Sequence, residues 1–274
     1  MSSIKTKSVS SLERALLVLE SLAASRNGLS LSELSRNLNL PRSSTHCLLV
    51  TLERQGYLLR NEQSGRYLFG MKLFSLANMA MSGLSLRKQA SPNLRALMEA
   101  TGLTVHMAIL EQNEAVIVEK VESPHQLRLG TWVGKRMGVH CTAAGKALIS
   151  HWTEEEIDRL IRHGLPRYNE NTIISPRKLK NDLAKVRELG YSVDDEEDTI
   201  GSRCIGAPIF DHTERVVASI SVAGYSTQIN SQTFYALAEK VKKGAATISQ
   251  KLMLNDVSRE LVESPGGPAD AQAK

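Results

Sequence analysis

Three short helix patterns crowd the first 56 residues, each with its own start and stop signals, and nothing else constrains the fold as strongly. Ser10 and Glu13 have the spacing of a capping box. Leu12, Ala15, Leu16, Leu19, Leu22 and Ala23 then recur at three- and four-residue intervals, which predicts one buried face. Ser30 and Glu33 repeat the box ahead of a shorter stripe, Leu34 and Leu38. Asn39-Leu40-Pro41 interrupts the chain, and Pro41 suits the first position of a third helix, where a missing N–H costs nothing. This helix turns Thr45, Leu48, Leu49 and Leu52 inward and stops at Gly56. Helices this short are marginal alone and must pack on one another. Two of them joined by about three residues, the second amphipathic, make a helix-turn-helix.

The exposed side of the third helix carries Arg42, Ser43, Ser44, His46 and Cys47 near its N-terminal end. A recognition helix presents that end to base edges in a major groove about 12 Å wide. Arg42 can bond a guanine through two N–H groups, while Ser43, Ser44 and His46 can bond bases or phosphates. Tyr57 to Arg60, a turn over 61–65 and Arg66 to Phe69 then read as a two-stranded wing. Arg60 and Arg66 are expected there near phosphates or a minor groove. Charge agrees with this reading. The net charge is +5, and residues 1–70 hold nine Lys/Arg against five acids, whereas the other 204 hold 25 against 24. A basic module for double-stranded DNA is attached to a near-neutral one.

Beyond the wing, Met71 to about Gln89 predicts one helix with Leu73, Leu76, Ala77, Ala80 and Leu84 on one side. Met71, Met79 and Met81 on its other faces point to packing against a partner helix. Ala90-Ser91-Pro92 reads as a boundary, with Ser91 capping the next helix and Pro92 opening it. A hairpin over Leu103–Leu110 and Ala115–Val121 follows, then an extended stretch at Leu127–Val133 and a helix just past His140. Thr153 with Glu156 caps another helix, and Ser175-Pro176 opens one that Gly190 ends. Strands at Arg203–Phe210 and Arg215–Ala223 precede a final helix at Gln232–Leu254. Antiparallel pairs with helices between them make an α+β fold, one sheet covered by helices. The expected domains are a winged helix-turn-helix over 8–70, a linker helix over 71–90, a second domain over 91–255 and a disordered tail over 256–274.

No GxSxG, P-loop, GxGxxG after a strand or HExxH occurs, so neither an enzyme nor a cofactor is expected. Cys47, Cys141 and Cys204 form no CxxC pair, and His140, Cys141, Asp194 and Cys204 have ligand chemistry for zinc but a spacing that is not diagnostic of a zinc site. The run Asp194 to Asp198 is expected to be a solvated loop rather than a metal cluster. Cys141 at a helix start keeps open a rival from another class, a cysteine-based redox sensor or an enzyme fused to a DNA-binding module. His140-Cys141-Thr142-Ala143-Ala144-Gly145-Lys146 admits two readings: backbone N–H groups open to an anion, or close packing of a helix on a sheet. With no signal peptide and no apolar run of 18 residues, a cytoplasmic protein without a membrane partner is expected.

The segments GLSLSELSRNLNLPRSSTHCLLVTLERQGYL, HCTAAGKAL, ELGYSVDDEED, GSRCIGAPIFD and ASISVAG, in this order, resemble those of IclR-type bacterial transcriptional regulators. The resemblance runs from about Val9 to Leu254. It implies a winged helix-turn-helix, a dimerisation linker and a C-terminal effector domain similar to GAF domains. It also implies operator binding as a homodimer or homotetramer, modulated by a small effector, often a carboxylate. By the same resemblance Ala143 and Ala144 would offer N–H groups to a carboxylate, and Asp194, Cys204 and Ser221 would meet its polar end. Leu129, Met137 and Ser202 would form the wall. The chain departs from its relatives at Ala223, where a second serine is common, at Ser202, where a bulky apolar residue is common, and at Cys47, where Arg is common.

Overall fold

In the computed structural model, which describes residues 9–25, 27–82, 85–124 and 130–263, the chain divides into two units, Met1–Leu84 and Ser85–Lys274. The first holds α1 (Ser10–Ala23), α2 (Leu31–Asn37), α3 (Arg42–Arg54), β1 (Leu58–Arg60), β2 (Tyr67–Phe69) and α4 (Met71–Ser82). Val18 and Leu22, Leu34, Leu49, Leu58 and Tyr67 meet in its core. Leu22, Leu34 and Leu49 come from the expected stripes, whereas Leu12, Leu16 and Ala23 of the face expected on α1 are exposed and Val18 is buried instead. Burial of such a side chain is worth about 1.5–3 kcal/mol.

The two N-terminal caps differ. Ser30 accepts from the Glu33 N–H at 3.3 Å while the Glu33 carboxylate accepts from the Ser30 N–H at 2.7 Å, a complete capping box. At α1 the box does not form. Val9 is the cap residue without a side-chain bond, because the first helical bonds already run to its carbonyl from Leu12 and Glu13. Ser10 thus lies inside the helix. Asn39, in left-handed conformation at φ +50°, turns the chain from α2 into α3, and Pro41 caps α3 rather than opening it. β1 pairs with β2 in the register Leu58↔Phe69 to Arg60↔Tyr67, and Leu29 bonds both ways to Tyr67.

The second unit begins with α5 (Ser85–Thr101), which corrects the expected boundary at Ser91-Pro92. Pro92 sits inside this helix. A proline there removes one backbone bond, but Ala90, Leu94 and Leu97 are buried along the same helix, and their burial offsets that loss. Of the single helix expected from Met71 to Gln89, residues 71–82 form α4 and residues 85–89 belong to α5, while residues 83–84 lie outside the described residues. Next come β3 (Thr104–Glu111), β4 (Glu114–Val121), β5 (Arg136–Gly138), α6 (Ala143–Ile149), α7 (Glu154–His163) and α8 (Pro176–Leu189). β6 (Ser192–Asp195), β7 (Ser202–Phe210), β8 (Val216–Tyr225) and α9 (Phe234–Glu263) complete the unit. The strands form one antiparallel sheet in the order β5-β4-β3-β8-β7-β6. Of the extended stretch expected at Leu127–Val133, residues 130–133 are not strand, and β5 takes the edge of the sheet instead. α9 continues to Glu263, nine residues beyond Leu254 and into the expected tail, whose residues 264–274 lie outside the described residues.

Strand alternation gives the sheet two different faces. Ser192, Asp194, Ser202, Cys204, Gly206, Ser219, Ser221 and Ala223 share one face by register, all of them short or polar. α6 lies on that face, held by Ser192 Oγ donating to the Ala143 carbonyl at 2.6 Å and Ser219 Oγ donating to that of Ala144 at 3.0 Å. Only glycine serves at 206, since a Cβ there would fall 2.8 Å from the Ala143 carbonyl oxygen. Ile220 faces the other way, toward Gly244 of α9 and Leu97 of α5. Small side chains under α6 let the helix approach closely and leave space beside its N-terminal end.

Candidate nucleic-acid interface and ligand cavity

Thr45 and Leu49 anchor α3 in the first unit, and the remaining positions of its first turns follow from helical geometry. Arg42, Ser43, His46 and Cys47 are exposed and Ser44 is half-buried, so the end of the helix carries a polar, cationic surface. Arg60 ends β1 with its guanidinium 5.9 Å from the centre of the Tyr67 ring. Arg66 has different partners from those a phosphate contact requires. Its guanidinium donates to the Gly28 carbonyl at 2.7 Å and to Glu33 at 2.9 Å, tying the wing to the cap of α2. The Ser30 N–H and hydroxyl, joined by Arg66, hold the Glu33 carboxyl down to about 2. With its bonds to the Gly28 carbonyl and Glu33 removed, Arg66→Ala is expected to lower the melting temperature. The salt slope of DNA binding should stay unchanged; a slope flatter by about 0.9 would instead return Arg66 to a phosphate.

In the second unit a cavity of about 330 Å³ opens between the polar sheet face and the start of α6. Met137, Ala143, Ala144, Asp194, Ser202, Cys204 and Ser221 all line it, as does Ala223. Leu129 lies outside the described residues. Thr142 caps α6 by accepting from the Gly145 N–H at 3.1 Å. The N–H groups of Ala143 and Ala144 are thereby left without an acceptor among the described residues, as the first turn of any helix dictates. The close-packing reading of the HCTAAGK segment agrees with the bonds of Ser192 and Ser219 to the Ala143 and Ala144 carbonyls.

The acidic run is not a solvated loop. Asp194 and Glu197 are buried, and Asp194 Oδ1 accepts from the Glu197 N–H at 2.8 Å. Burial pushes the Asp194 carboxyl up to about 7, with the ordered N–H opposing it. Glu197 and Asp182 hold Lys146 at 2.7 and 2.6 Å. Burial alone would depress the Lys146 ammonium, but these two carboxylates outweigh it and keep it charged. Cys141 is buried, and its thiol is pushed upward by that burial and by Asp198 and Asp194. The lowered value that a redox cysteine requires is absent at this position. Cys204 is raised likewise, by burial first and then by Asp194 across the β6–β7 pair. His140 is occupied by the Pro166 carbonyl at 2.9 Å and the ring of Tyr168. Among the described residues no three His, Cys, Asp or Glu side chains are grouped to hold a metal, and no helix is long and apolar enough to cross a membrane.

Several lining residues escaped the sequence reading: His106, Thr131, Lys135, Thr142, Asp198, Ile200 and Tyr225. His106 had a readable signal, a polar residue in the middle of an apolar strand. Thr131, Lys135 and Ile200 come from irregular segments that no periodicity marks.

A family model for the bacterial transcriptional regulator IclR C-terminal matches residues 78–250, and one for the IclR helix-turn-helix domain matches residues 11–62. The transcriptional repressor IclR of Escherichia coli K12 is 36% identical over 247 residues, 89% of this chain and 90% of that protein. The HTH-type transcriptional repressor AllR of the same strain is 34% identical, covering 92% and 93%. Among solved structures, the Thermotoga maritima IclR superposes with a TM-score of 0.75 at 31% identity, covering 89% of this chain and 98% of that one. An IclR homolog from Microbacterium hydrocarbonoxydans complexed with 4-hydroxybenzoate has a TM-score of 0.78 at 25% identity, covering 88% and 98%.

Proposed function

The chain belongs to the IclR family of bacterial transcriptional regulators and is an effector-modulated DNA-binding regulator, and from that premise we propose how its residues divide the work. Arg42, Ser43, Ser44 and His46 read base edges, and Arg60 contacts the backbone beside them. The effector is a small carboxylic acid seated in the cavity below α6. Its carboxylate meets the N–H groups of Ala143 and Ala144, while Asp194, Cys204 and Ser221 meet its polar end and Met137 and Ser202 form the wall. The observation that carries this reading is one cavity at the open end of α6, in the same chain as a cationic recognition helix. An acid titrated into such a protein changes operator affinity only by the difference in its affinity for the two arrangements.

The regulator acts in the cytoplasm as a homodimer or homotetramer, without enzymatic activity. Paired recognition helices then require half-sites about 34 Å apart, or a multiple of that. Arg42→Ala is expected to weaken operator binding by about 1–3 kcal/mol and to relax base preference at one position of each half-site. A mobility-shift series over single-base operator variants measures both. Undiminished affinity and preference would remove α3 as the reader.

A further inference from the structure

We propose that the cavity selects a monocarboxylic acid that also carries a hydroxyl group, and that His106 and Thr131 read that hydroxyl. The inference rests on the carboxylate reading above and names the class of acid. His106 stands in the middle of β3, paired in register with Ser221 of β8, and both line the cavity. It is buried, with Nε2 2.8 Å from Thr131 Oγ1. Thr131 is itself held from behind, its carbonyl accepting from Lys120 Nζ at 2.7 Å. A polar ring buried in a sheet face is costly unless its nitrogens are used.

Its chemistry there is that of a neutral imidazole. Burial, reinforced by Lys120 and Lys135, pushes the His106 ring down to about 3. One nitrogen then donates and the other accepts, and the Thr131 hydroxyl can rotate to satisfy either tautomer. The pair can therefore offer a donor or an acceptor to whatever enters the cavity. A hydroxyl, which both donates and accepts, uses that capacity fully. A second carboxylate would need donors alone, on a wall that carries Asp194 and Asp198 and whose lining cation, Lys135, already donates to the Gly130 carbonyl at 2.9 Å. Size narrows the class further. A cavity of about 330 Å³ matches the share of liquid volume of on the order of ten waters, so acids of about ten non-hydrogen atoms fit it.

Calorimetry on the intact protein with two matched series tests this. One is 4-hydroxybenzoate, benzoate and benzene-1,4-dicarboxylate; the other is 6-hydroxyhexanoate, hexanoate and adipate. In at least one series the hydroxy acid should bind at least tenfold more tightly than both analogues. His106→Leu should cut that preference to less than threefold, and His106→Gln, which still donates and accepts, should retain most of it. Thr131→Val provides an independent loss of preference should the Leu variant fail to fold. Equal binding of hydroxy and plain acids in both series, a preferred diacid, or a preference that survives both His106→Leu and Thr131→Val would overturn the inference and leave the carboxylate reading standing. Binding of none of the six acids would overturn both.

Discussion

Replacing Lys146 by alanine is expected to destabilise the second unit by about 3–5 kcal/mol. Lys146 is wholly buried, and its ammonium is shared between Glu197, which is also buried, and the partly exposed Asp182. Removing the cation leaves two carboxylates close together with no opposite charge between them. Glu197 is the worse placed, because its Oε2 is already buried without a partner. The three groups come from α6, the β6–β7 connection and α8, so the loss loosens the roof of the cavity. Urea unfolding measures it, and Lys146→Ala combined with Glu197→Gln and Asp182→Asn should recover a large part of the deficit. A loss under about 1 kcal/mol for Lys146→Ala would show that the cluster behaves like a surface ion pair.

The second large effect depends on pH and belongs to Asp194. Its folded-state carboxyl lies at about 7 against an ordinary 3.8, chiefly because burial disfavours the charged form. A raised folded value favours the folded state fully below about pH 4, and that advantage is lost as pH climbs through about 7. Wild-type stability should thus fall across this window. Asp194→Asn, which keeps an acceptor for the Glu197 N–H, should not show that fall, and the two curves should separate by on the order of 3 kcal/mol by pH 8. Denaturant midpoints at pH 5 and pH 8 decide it. Parallel behaviour of the two proteins would mean that Asp194 ionises freely in the folded state.

Much of this architecture is readable along the chain. Ser30 with Glu33, Thr153 with Glu156, and Ser175 ahead of Pro176 mark helix starts, and Gly190 ends a helix at φ +77°. The hairpin β3–β4 turns at Gln112-Asn113, between the strands that alternation predicted. The same local logic misplaced Ser10 and Pro92. At Ser10 the Val9 carbonyl already accepts the first helical bonds. At Pro92 the buried residues Ala90, Leu94 and Leu97 keep one helix continuous where proline invites a break.

What the sequence determined by itself was therefore local and additive: helix ends, strand alternation, and a basic first quarter joined to a near-neutral remainder. These depend on neighbours within about four residues or on sums of charge, and both survive without knowledge of the fold. Tertiary structure alone decided what the charged and polar groups do. Lys146 meets Asp182 and Glu197 from 36 and 51 residues away, Arg66 meets Gly28 across 38, and His106 meets Thr131 across 25. Whether a carboxyl is solvated or half protonated, and whether an arginine faces a phosphate or a carbonyl, depends on what packs over it. Burial sets the energy of a charge, and burial is a property of the folded chain.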